Sequence, residues 1–580
     1  MVDARPSDTS RRVPGPGPGA HWLRGYPRAW WRPDLLAGLT AAAVVVPKAM
    51  AYATVAGLPV QVGLYTVFVP MVIYALLGSS RPLSVSTTTT LAILTASALG
   101  VAAPGGDAAA LVTASATLAV LVGAMLLVAA VLRLGFLADF ISEPVLTGFK
   151  SGIGLVIVVD QLPKLLGVHF EKVGFLRDIA SLLRHLPETV LPTLLVGLGV
   201  LALIAILEKT APGAPAPLLA IGAAIAASSL LRLDGAGVAL VGEIPRGLPS
   251  FVRPQLDLLQ ALWPGALGIA LMSFTESIAA GRAFSASDEP RPRPNRELLA
   301  LGLANVGGGL LGAMPAGGGT TQTAVNRRAG ARSQAAELVT AAAAVATLLL
   351  LAPLVARMPQ AALAAVVVAY SVELIRPADF REIARVRRVE FWWAVIAFGG
   401  VVVLGTLRGI LVAVIASLVS LAHQAYNPPV YLVGRKRGTA VFRPLSGEHL
   451  DDEQWPGLAI VRHEGRLFFA NAQRVLERAW DLTGDAKPKV ILFDCSAVID
   501  IEYTALKMLI EGEEKLRRDG IELWLAALNP AVYAMVERSK LGQVLGRERM
   551  FFNLEAAVEA YERRFAVHAL SGPTAGAGGP

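Results

Sequence analysis

The chain has 580 residues, of which 54% are hydrophobic and 17% charged, whereas average soluble proteins are about 25% charged. Long apolar runs lie between Asp34 and His423, and from Tyr431 onward the composition is that of a soluble domain. The net charge is +8, but the arginines gather in short stretches between apolar runs, which favours membrane topology over nucleic-acid binding. The single cysteine, Cys495, excludes an intramolecular disulfide.

Residues 1–20 are rich in Pro, Gly and Arg and lack an apolar core. We therefore expect a disordered tail rather than a cleaved signal peptide. The chain shows no HExxH pair, no other metal-ligand spacing, no nucleophile–base pair and no phosphate-binding GxxxxGK loop. We expect no metal site, no cofactor and no enzyme activity.

Apolar runs of about 20 residues suit membrane-spanning helices. Such runs occur, in chain order, at 35–56, 62–77, 110–132, 190–207, 217–231, 263–280, 298–314, 338–355, 361–374, 391–404 and 409–422. Two further stretches, 83–99 and 315–325, are apolar but short and rich in small polar residues. This composition is typical of broken helices, whose backbone lines a cavity or is buried in protein.

The basic clusters predict the orientation. With the N-terminus inside and about fourteen crossings, all of them face the cytoplasm, and so does the soluble C-terminal domain. Trp30 and Trp31 then lie at the first interface. The clusters are Arg24, Arg28 and Arg32; Arg291, Arg293 and Arg296; Arg327, Arg328 and Arg332; Arg381, Arg385, Arg387 and Arg388; and Arg435, Lys436 and Arg437.

The two short stretches resemble each other. Residues 82–93 read Pro-Leu-Ser-Val-Ser-Thr-Thr-Thr-Thr-Leu-Ala-Ile, and residues 315–326 read Pro-Ala-Gly-Gly-Gly-Thr-Thr-Gln-Thr-Ala-Val-Asn. Interrupted segments at corresponding positions of two halves indicate the binding site of a transporter. The alternative is a pair of interfacial loops with threonine caps.

Two half-helices that begin inside the membrane direct their free N–H groups, equivalent to about half a positive charge each, at the space before them. Two such ends facing each other form an anion site without a fixed cation. Small residues must surround that point, and hydroxyl groups add donors. The candidate residues are Ser84, Ser86, Thr87 and Thr88 in the first half, and Gly317, Gly318, Gly319, Thr320, Thr321 and Gln322 in the second.

Two charged residues lie inside predicted spans. Glu276 is an acid well inside 263–280, where a charge costs about 2.5–3.5 kcal/mol, so we predict a proton-coupling role; the alternative is a structural glutamate within the helix bundle. Lys48 follows a proline in the first span, and we hypothesise that it pairs with Glu276 or contacts the anion; the alternative is snorkelling to an interface. Lys150 and Asp160 are interpreted as near-interface residues.

An ordered series of short motifs resembles the sulfate permease (SulP) family of anion transporters over roughly residues 33–565. These motifs are Asp34-Leu-Leu-Ala-Gly-Leu-Thr, Val46-Pro-Lys-Ala-Met-Ala-Tyr-Ala, Gly57-Leu-Pro, Gly63-Leu-Tyr, Gly78-Ser-Ser, Leu83-Ser-Val, Glu276-Ser-Ile-Ala, Asn295-Arg-Glu-Leu, Gly302-Leu-Ala-Asn and Ala324-Val-Asn-Arg-Arg-Ala-Gly-Ala-Arg. Val490-Ile-Leu-Phe-Asp-Cys-Ser-Ala-Val resembles the third strand of the STAS domain that these proteins carry.

The resemblance implies about fourteen segments in two inverted repeats of about seven, split into core and gate subdomains that move relative to each other, and a homodimer. It implies an anion between the third and tenth segments, with the first and eighth contributing, so Tyr52 joins the candidate site. Many members have glutamine at the position of Lys48 and a basic residue at that of Gln322. The positive charge has thus moved from one wall of the site to the other.

The predicted fold class is an all-α polytopic membrane domain followed by a cytoplasmic α/β STAS domain. In the latter we predict a hairpin at 459–461 and 466–470, buried strands at 490–493 and 523–527, and an amphipathic helix at 504–518. The predicted organisation is 1–32 cytoplasmic tail and interfacial segment, 33–426 transporter domain, 427–455 linker, 456–566 STAS domain and 567–580 disordered tail.

The predicted function is secondary active transport of a small anion across the cell membrane by an elevator-like movement, with proton coupling or exchange. Sulfate, bicarbonate, chloride and dicarboxylates remain open as substrates. Two alternatives also remain open: an anion-sensing signalling protein that acts through its STAS domain, and a nucleobase-type permease.

Overall fold

The computed structural model describes residues 26–139, 142–170, 175–211, 214–242, 247–286, 289–483 and 488–565. The predicted C-terminal tail, 567–580, and residues 1–25 of the predicted N-terminal tail lie outside these ranges. The boundary between two compact units falls after Leu418.

The membrane domain is helical, and its two halves repeat one order of elements. The first half contains α1 (Trp31–Val55), α2 (Val60–Leu77), β1 (Val85–Ser86), α3 (Thr89–Ala102), α4 (Ala108–Val131), α5 (Glu143–Leu166), α6 (Phe175–His185), α7 (Leu191–Thr210) and α8 (Ala216–Leu231). The second half contains α9 (Leu259–Phe284), α10 (Pro294–Leu310), β2 (Gly317–Gly318), α11 (Thr320–Arg328), α12 (Ala335–Ala356), α13 (Gln360–Val372), α14 (Pro377–Val386), α15 (Arg388–Leu404) and α16 (Thr406–Tyr426). In each half a short strand precedes the third spanning helix, and an amphipathic helix, α6 or α14, follows the fifth.

Long apolar helices form most of this domain. Eight of the described helices have the length and composition to cross a membrane. The short helices α3 and α11 have 14 and 9 residues, and each follows extended backbone. The two broken helices predicted from 83–99 and 315–325 are therefore present, with a strand before each that we did not predict.

Glycines allow close helix packing, as is common in membrane proteins. A Cβ atom on Gly123 of α4 would lie 2.6 Å from the carbonyl oxygen of Gly302 on α10. A Cβ atom on Gly148 of α5 would lie 2.0 Å from the carbonyl oxygen of Ala394 on α15. These backbones touch, so larger residues at either glycine would separate the helices.

Helix α5 corrects one prediction. It runs without interruption over Glu143–Leu166 and qualifies as a membrane span. Lys150 and Asp160, interpreted from the sequence as near-interface residues, thus lie within one continuous helix. The apolar run does not reveal this span, because Lys150, Asp160 and Gln161 interrupt it.

The C-terminal unit is a six-stranded sheet with helices on both faces. Its strands are β3 (Val430–Arg435), β4 (Phe442–Pro444), β5 (Leu458–His463), β6 (Val490–Asp494), β7 (Glu522–Ala526) and β8 (Met550–Phe551), in the order β4-β3-β5-β6-β7-β8. Strands β5 to β8 are parallel, and β3 is antiparallel to both of its neighbours. The helices are α17 (Ala472–Thr483), α18 (Tyr503–Arg518), α19 (Pro530–Glu537), α20 (Lys540–Leu545) and α21 (Leu554–Phe565).

Alternate residues of the central strands enter two different cores. Ile491 and Phe493 of β6 join one cluster, and Val490 and Leu492 join the other, which also contains the buried ring of Trp524. This period of two is the expected pattern of a sheet covered on both faces.

Two expectations for this unit differ from the structure. The predicted hairpin of 459–461 with 466–470 is wrong, because β5 is already paired on both edges, with β3 and β6. Residues 427–455, predicted as a linker, contribute strands β3 and β4. The predicted strands at 490–493 and 523–527 and the helix at 504–518 are confirmed as β6, β7 and α18.

Candidate functional site

The starts of α3 and α11 meet inside the membrane domain. Strand β1 pairs with β2 in antiparallel register, with Val85 opposite Gly318 and Ser86 opposite Gly317. Because only two residues separate β1 from α3 and one separates β2 from α11, the free N–H groups and positive dipole ends of the two half-helices converge on one region.

The glycines of β2 are required by their surroundings. A Cβ atom on Gly317 would lie 2.8 Å from Ser273 Oγ, and one on Gly318 would lie 2.7 Å from Leu83 Cδ1. The Gly318 N–H donates to Ser277 Oγ at 2.7 Å, which fixes the strand against α9. Larger residues here would push the strand pair away from α9.

A cavity of about 80 Å³ lies at the two helix starts. Most of the predicted site residues line it: Lys48, Tyr52, Thr87, Thr88, Glu276, Gly319, Thr320, Thr321 and Gln322. Four predicted residues do not: Ser84, Ser86, Gly317 and Gly318 lie in or beside the strand pair, and both serines are buried.

The start of α3 is occupied by the protein's own groups. The Thr88 side chain caps the helix by accepting from the Leu91 N–H at 3.3 Å. The hydroxyls of Thr88 and Thr90 donate to the two carboxylate oxygens of Glu276 at 3.1 and 2.9 Å. A carboxylate is stabilised at this positive helix end. Thr87, a residue only 1% exposed, also lines the cavity, and its hydroxyl has no hydrogen-bond partner among the described residues.

The start of α11 differs, since its N-cap residue is Gly319 and no side chain of the described residues caps it. Thr320, Thr321 and Gln322 form its first turn and line the cavity. The N–H groups of this turn have no intrahelical acceptors, so they are available to an anion.

Two lysines bring positive charge to the cavity. Lys48 of α1 is buried, and its Nζ lies 3.2 Å from the ring centroid of Tyr370 on α13, a cation–π contact. Lys150 of α5 lies with its Nζ 3.8 Å from Glu276 Oε1. The hypothesised pairing of Lys48 with Glu276 is thus replaced by a Lys150–Glu276 pair.

Four lining residues were absent from the predicted site: Thr89, Thr90, Lys150 and Leu374. Lys150 was detectable, because an ionisable residue inside a span is a functional candidate once α5 is read as one helix. Thr89 and Thr90 continue the threonine run, and the Thr89 hydroxyl donates to the Tyr52 oxygen at 2.8 Å. Nothing in the sequence singled out Leu374.

A buried polar network supports the strand pair from behind. Glu337 of α12 is fully buried and accepts from Ser84 Oγ at 2.8 Å and from Asn326 Nδ2 at 2.7 Å. The Ser84 N–H donates to Thr323 Oγ1 at 3.1 Å. β1 is thereby connected to α11 and α12 as well as to β2.

Comparisons with known proteins agree with this architecture. The chain matches the sulfate permease family over residues 31–397 and the STAS domain over residues 449–557. A probable sulfate transporter of Mycobacterium tuberculosis is 36% identical over 554 residues, covering 95% of this chain and 99% of the relative. Sulfate transporter 4.1, chloroplastic, of Arabidopsis thaliana is 29% identical over 564 residues, covering 93% and 82%.

Two solved structures share the fold at 22% identity. The murine Solute Carrier 26 family member A9 anion transporter in the inward-facing state has a TM-score of 0.85, covering 93% of each chain. The transmembrane domain of a cyanobacterium bicarbonate transporter, BicA, has a TM-score of 0.60, covering 69% of this chain and 99% of that one. With the helical domain and its C-terminal sheet, these matches lead to one conclusion: the chain belongs to the sulfate permease family of anion transporters and carries a STAS domain.

Proposed function

We propose that the protein is a secondary active transporter that binds a small anion between the starts of α3 and α11. The β1–β2 pair carries this proposal, because it brings the starts of α3 and α11 to one cavity, and the start of α11 has no side-chain cap among the described residues. The side chains that line the cavity include two lysines, Lys48 and Lys150, and one carboxylate, Glu276, so an anion there meets two positive groups. The proposed ligands are the N–H groups of α11, the Thr87 hydroxyl and the two lysines.

Sulfate is the first candidate substrate. The relatives in Mycobacterium and Arabidopsis are described as sulfate transporters, and the first is 36% identical over nearly its full length. Bicarbonate is the second candidate, since BicA shares the fold. The cavity of about 80 Å³ is far below the ~300–1,000 Å³ of sites for drug-sized ligands, which favours a compact inorganic anion over a nucleobase.

Glu276 gives the proposal a route to proton coupling. Its carboxylate accepts hydrogen bonds from the hydroxyls of Thr88 and Thr90 and lies beside Lys150. It therefore competes with an entering anion for the positive charge of Lys150 and of the start of α3. Protonation removes this competition, and proton and anion therefore bind cooperatively. Lys48, Tyr52 and Lys150 are the other titratable side chains lining the cavity, while α3 and α4, which pack against α9, contain none.

The proposed movement is an elevator-like displacement of α1, α3, α9 and α11 relative to α5 and α13. Contacts of charged side chains join these groups: Lys48 with Tyr370, and Glu276 with Lys150. Lys164 of α5 also donates to the Thr54 carbonyl of α1 at 3.0 Å. These contacts must break when the cavity is carried across the membrane. We further propose a homodimer in the cell membrane with the N-terminus and the STAS domain in the cytoplasm, as the basic clusters indicate.

Uptake by the purified full-length protein in proteoliposomes tests the function. Labelled sulfate, bicarbonate, chloride and oxalate are compared at two pH values, with empty liposomes as the background. We expect saturable uptake of at least one anion, inhibited by unlabelled sulfate. Uptake of every anion at the background rate would refute transport, and binding without uptake would favour the sensing alternative.

A further inference from the structure

We propose that Gln322 is a positioning residue rather than an anion ligand, and that its side-chain amide straps α11 to β1. The inference rests on the proposed transport function. Gln322 lines the cavity, which suggests a direct contact with the anion, yet its carbonyl oxygen and one of its two N–H groups are engaged elsewhere.

The two hydrogen bonds of the amide connect the two halves of the membrane domain. Gln322 Nε2 donates to the Ser84 carbonyl at 2.9 Å, and Gln322 Oε1 accepts from Ser86 Oγ at 2.9 Å. Ser84 and Ser86 lie on either side of Val85 in and beside β1, so the amide spans the strand. The side chain is buried, and this arrangement uses its carbonyl and one N–H bond together.

The strap departs from ordinary helix capping. Gln322 is the third residue of α11, where glutamine commonly reaches back to the N–H of the N-cap residue. Here the N–H of Gly319, the N-cap residue, donates to the Ser84 carbonyl at 3.1 Å instead. Helix start and side chain therefore hold the same point of β1.

Gly319 provides the space for this arrangement. A Cβ atom at position 319 would lie 2.6 Å from Cδ of Gln322 and 2.7 Å from its Cγ and Nε2. Backbone conformation is not the reason, since the φ of Gly319 is −92°. Any side chain at 319 thus displaces the amide from β1.

The strap has a functional consequence, because it sets where the open start of α11 lies relative to α3. The N–H donors of that turn bind an anion well only when their positions are fixed in advance. Loosening the strap lowers anion affinity without removing any donor. Ser86 does not line the cavity, so its variants separate positioning from direct binding.

A double-mutant cycle of Q322M and S86A tests the strap. Initial uptake rates of labelled sulfate, or of the anion that wild type carries, give KM and turnover for each variant in proteoliposomes. We expect each single change to raise KM by about fivefold, as for the loss of a hydrogen bond, and the double variant to resemble Q322M. S115A removes a buried hydroxyl of α4 that has no partner among the described residues; it should leave KM unchanged and show no coupling to Q322M.

Two results would overturn the strap: an S86A variant with wild-type KM beside a raised KM in Q322M, or single effects that multiply in the double variant. G319A provides an independent arm, since it displaces Gln322 while keeping the amide, and G319A with Q322M should be no worse than either alone. Melting temperatures of all variants are measured in parallel. If the wild-type protein carries no anion, the proposed function fails. The double-mutant cycle is then evaluated on the melting temperatures of the same variants, which test the strap independently of transport.

Discussion

Replacing Glu276 with Gln tests the link between proton and anion. The amide oxygen of E276Q still accepts from one threonine hydroxyl, but the charge opposite Lys150 is gone. We expect wild-type uptake to rise as the pH falls, because protonation of Glu276 releases Lys150. In E276Q this release is permanent, so uptake should no longer depend on pH.

The distance gives the size of the effect. At 3.8 Å and an effective dielectric constant of about 20, two unit charges attract by about 4 kcal/mol before desolvation is subtracted. The Lys150 side chain keeps 25% of its surface exposed, so screening and desolvation leave roughly 1–2 kcal/mol. We expect E276Q to lower KM by about 5- to 30-fold at mildly alkaline pH, toward the wild-type value in acid.

Initial uptake rates across a series of external pH values measure this effect. E390Q is the matched control, because Glu390 pairs with Arg387 at 3.0 Å, outside the cavity, and its loss should leave the pH profile unchanged. An E276Q variant with the wild-type pH profile would remove Glu276 from coupling. If uptake by E276Q no longer depends on pH but its KM equals that of wild type, the Glu276 carboxylate does not keep Lys150 from the anion.

Lys48→Ala should depress uptake per reconstituted protein without abolishing expression, and Y370L should have the same effect. Y370F keeps the aromatic ring and should match wild type. Equal uptake rates in K48A and wild type would exclude Lys48 from the transport site. Glu337→Ala leaves the Ser84 hydroxyl and one N–H of Asn326 without an acceptor, while the Asn326 amide keeps its bond to the Pro82 carbonyl. The melting temperature of this variant should fall by an amount corresponding to about 2–3 kcal/mol, whereas Glu337→Gln should be tolerated; equal melting of both variants would contradict this. Burial lowers the pKa of His463 in the STAS domain to about 4 from the usual 6.5, so the neutral ring stabilises the fold fully above about pH 6.5 and this contribution is lost as the pH falls toward 4. This contribution is about 3 kcal/mol. Acid unfolding of the full chain should therefore depend less steeply on pH in H463L than in wild type. Parallel curves of stability against pH for the two proteins would refute this role of His463.

The membrane architecture was predictable because its signals are local. About twenty apolar residues in succession require a span, and Pro, Gly and Thr clusters at 82–93 and 315–326 mark the breaks. Helix α5 could not be predicted in this way, because Lys150 and Asp160 interrupt its apolar run. Their cost inside the membrane is offset by contacts such as that with Glu276, which come from distant parts of the chain.

Residues of the site were easier to predict than their partners. The residue types in the two breaks were sufficient to select Thr87, Thr320 and Gln322. That Gln322 turns toward β1 and away from an anion depends on Ser84 and Ser86, more than 230 residues away in the chain. Pairing across such separations is set by packing, which periodicity and composition do not encode.

The contacts of Lys48 with Tyr370 and of Lys150 with Glu276 should restrain the movement of the carrier when no anion is bound. Under the proposed movement, the contacts of Lys48 with Tyr370 and of Lys150 with Glu276 break together, and each broken contact leaves a poorly solvated charge. An anion in the cavity stays beside Lys48, which moves with it on α1, so the loaded carrier keeps a partner for that charge when Lys48 leaves Tyr370. The step therefore costs the loaded carrier less than the empty one. Return of the empty carrier should therefore limit turnover, and vesicles preloaded with unlabelled anion should take up labelled anion several times faster than empty vesicles. Equal rates from preloaded and empty vesicles would mean that these contacts do not restrain the empty carrier.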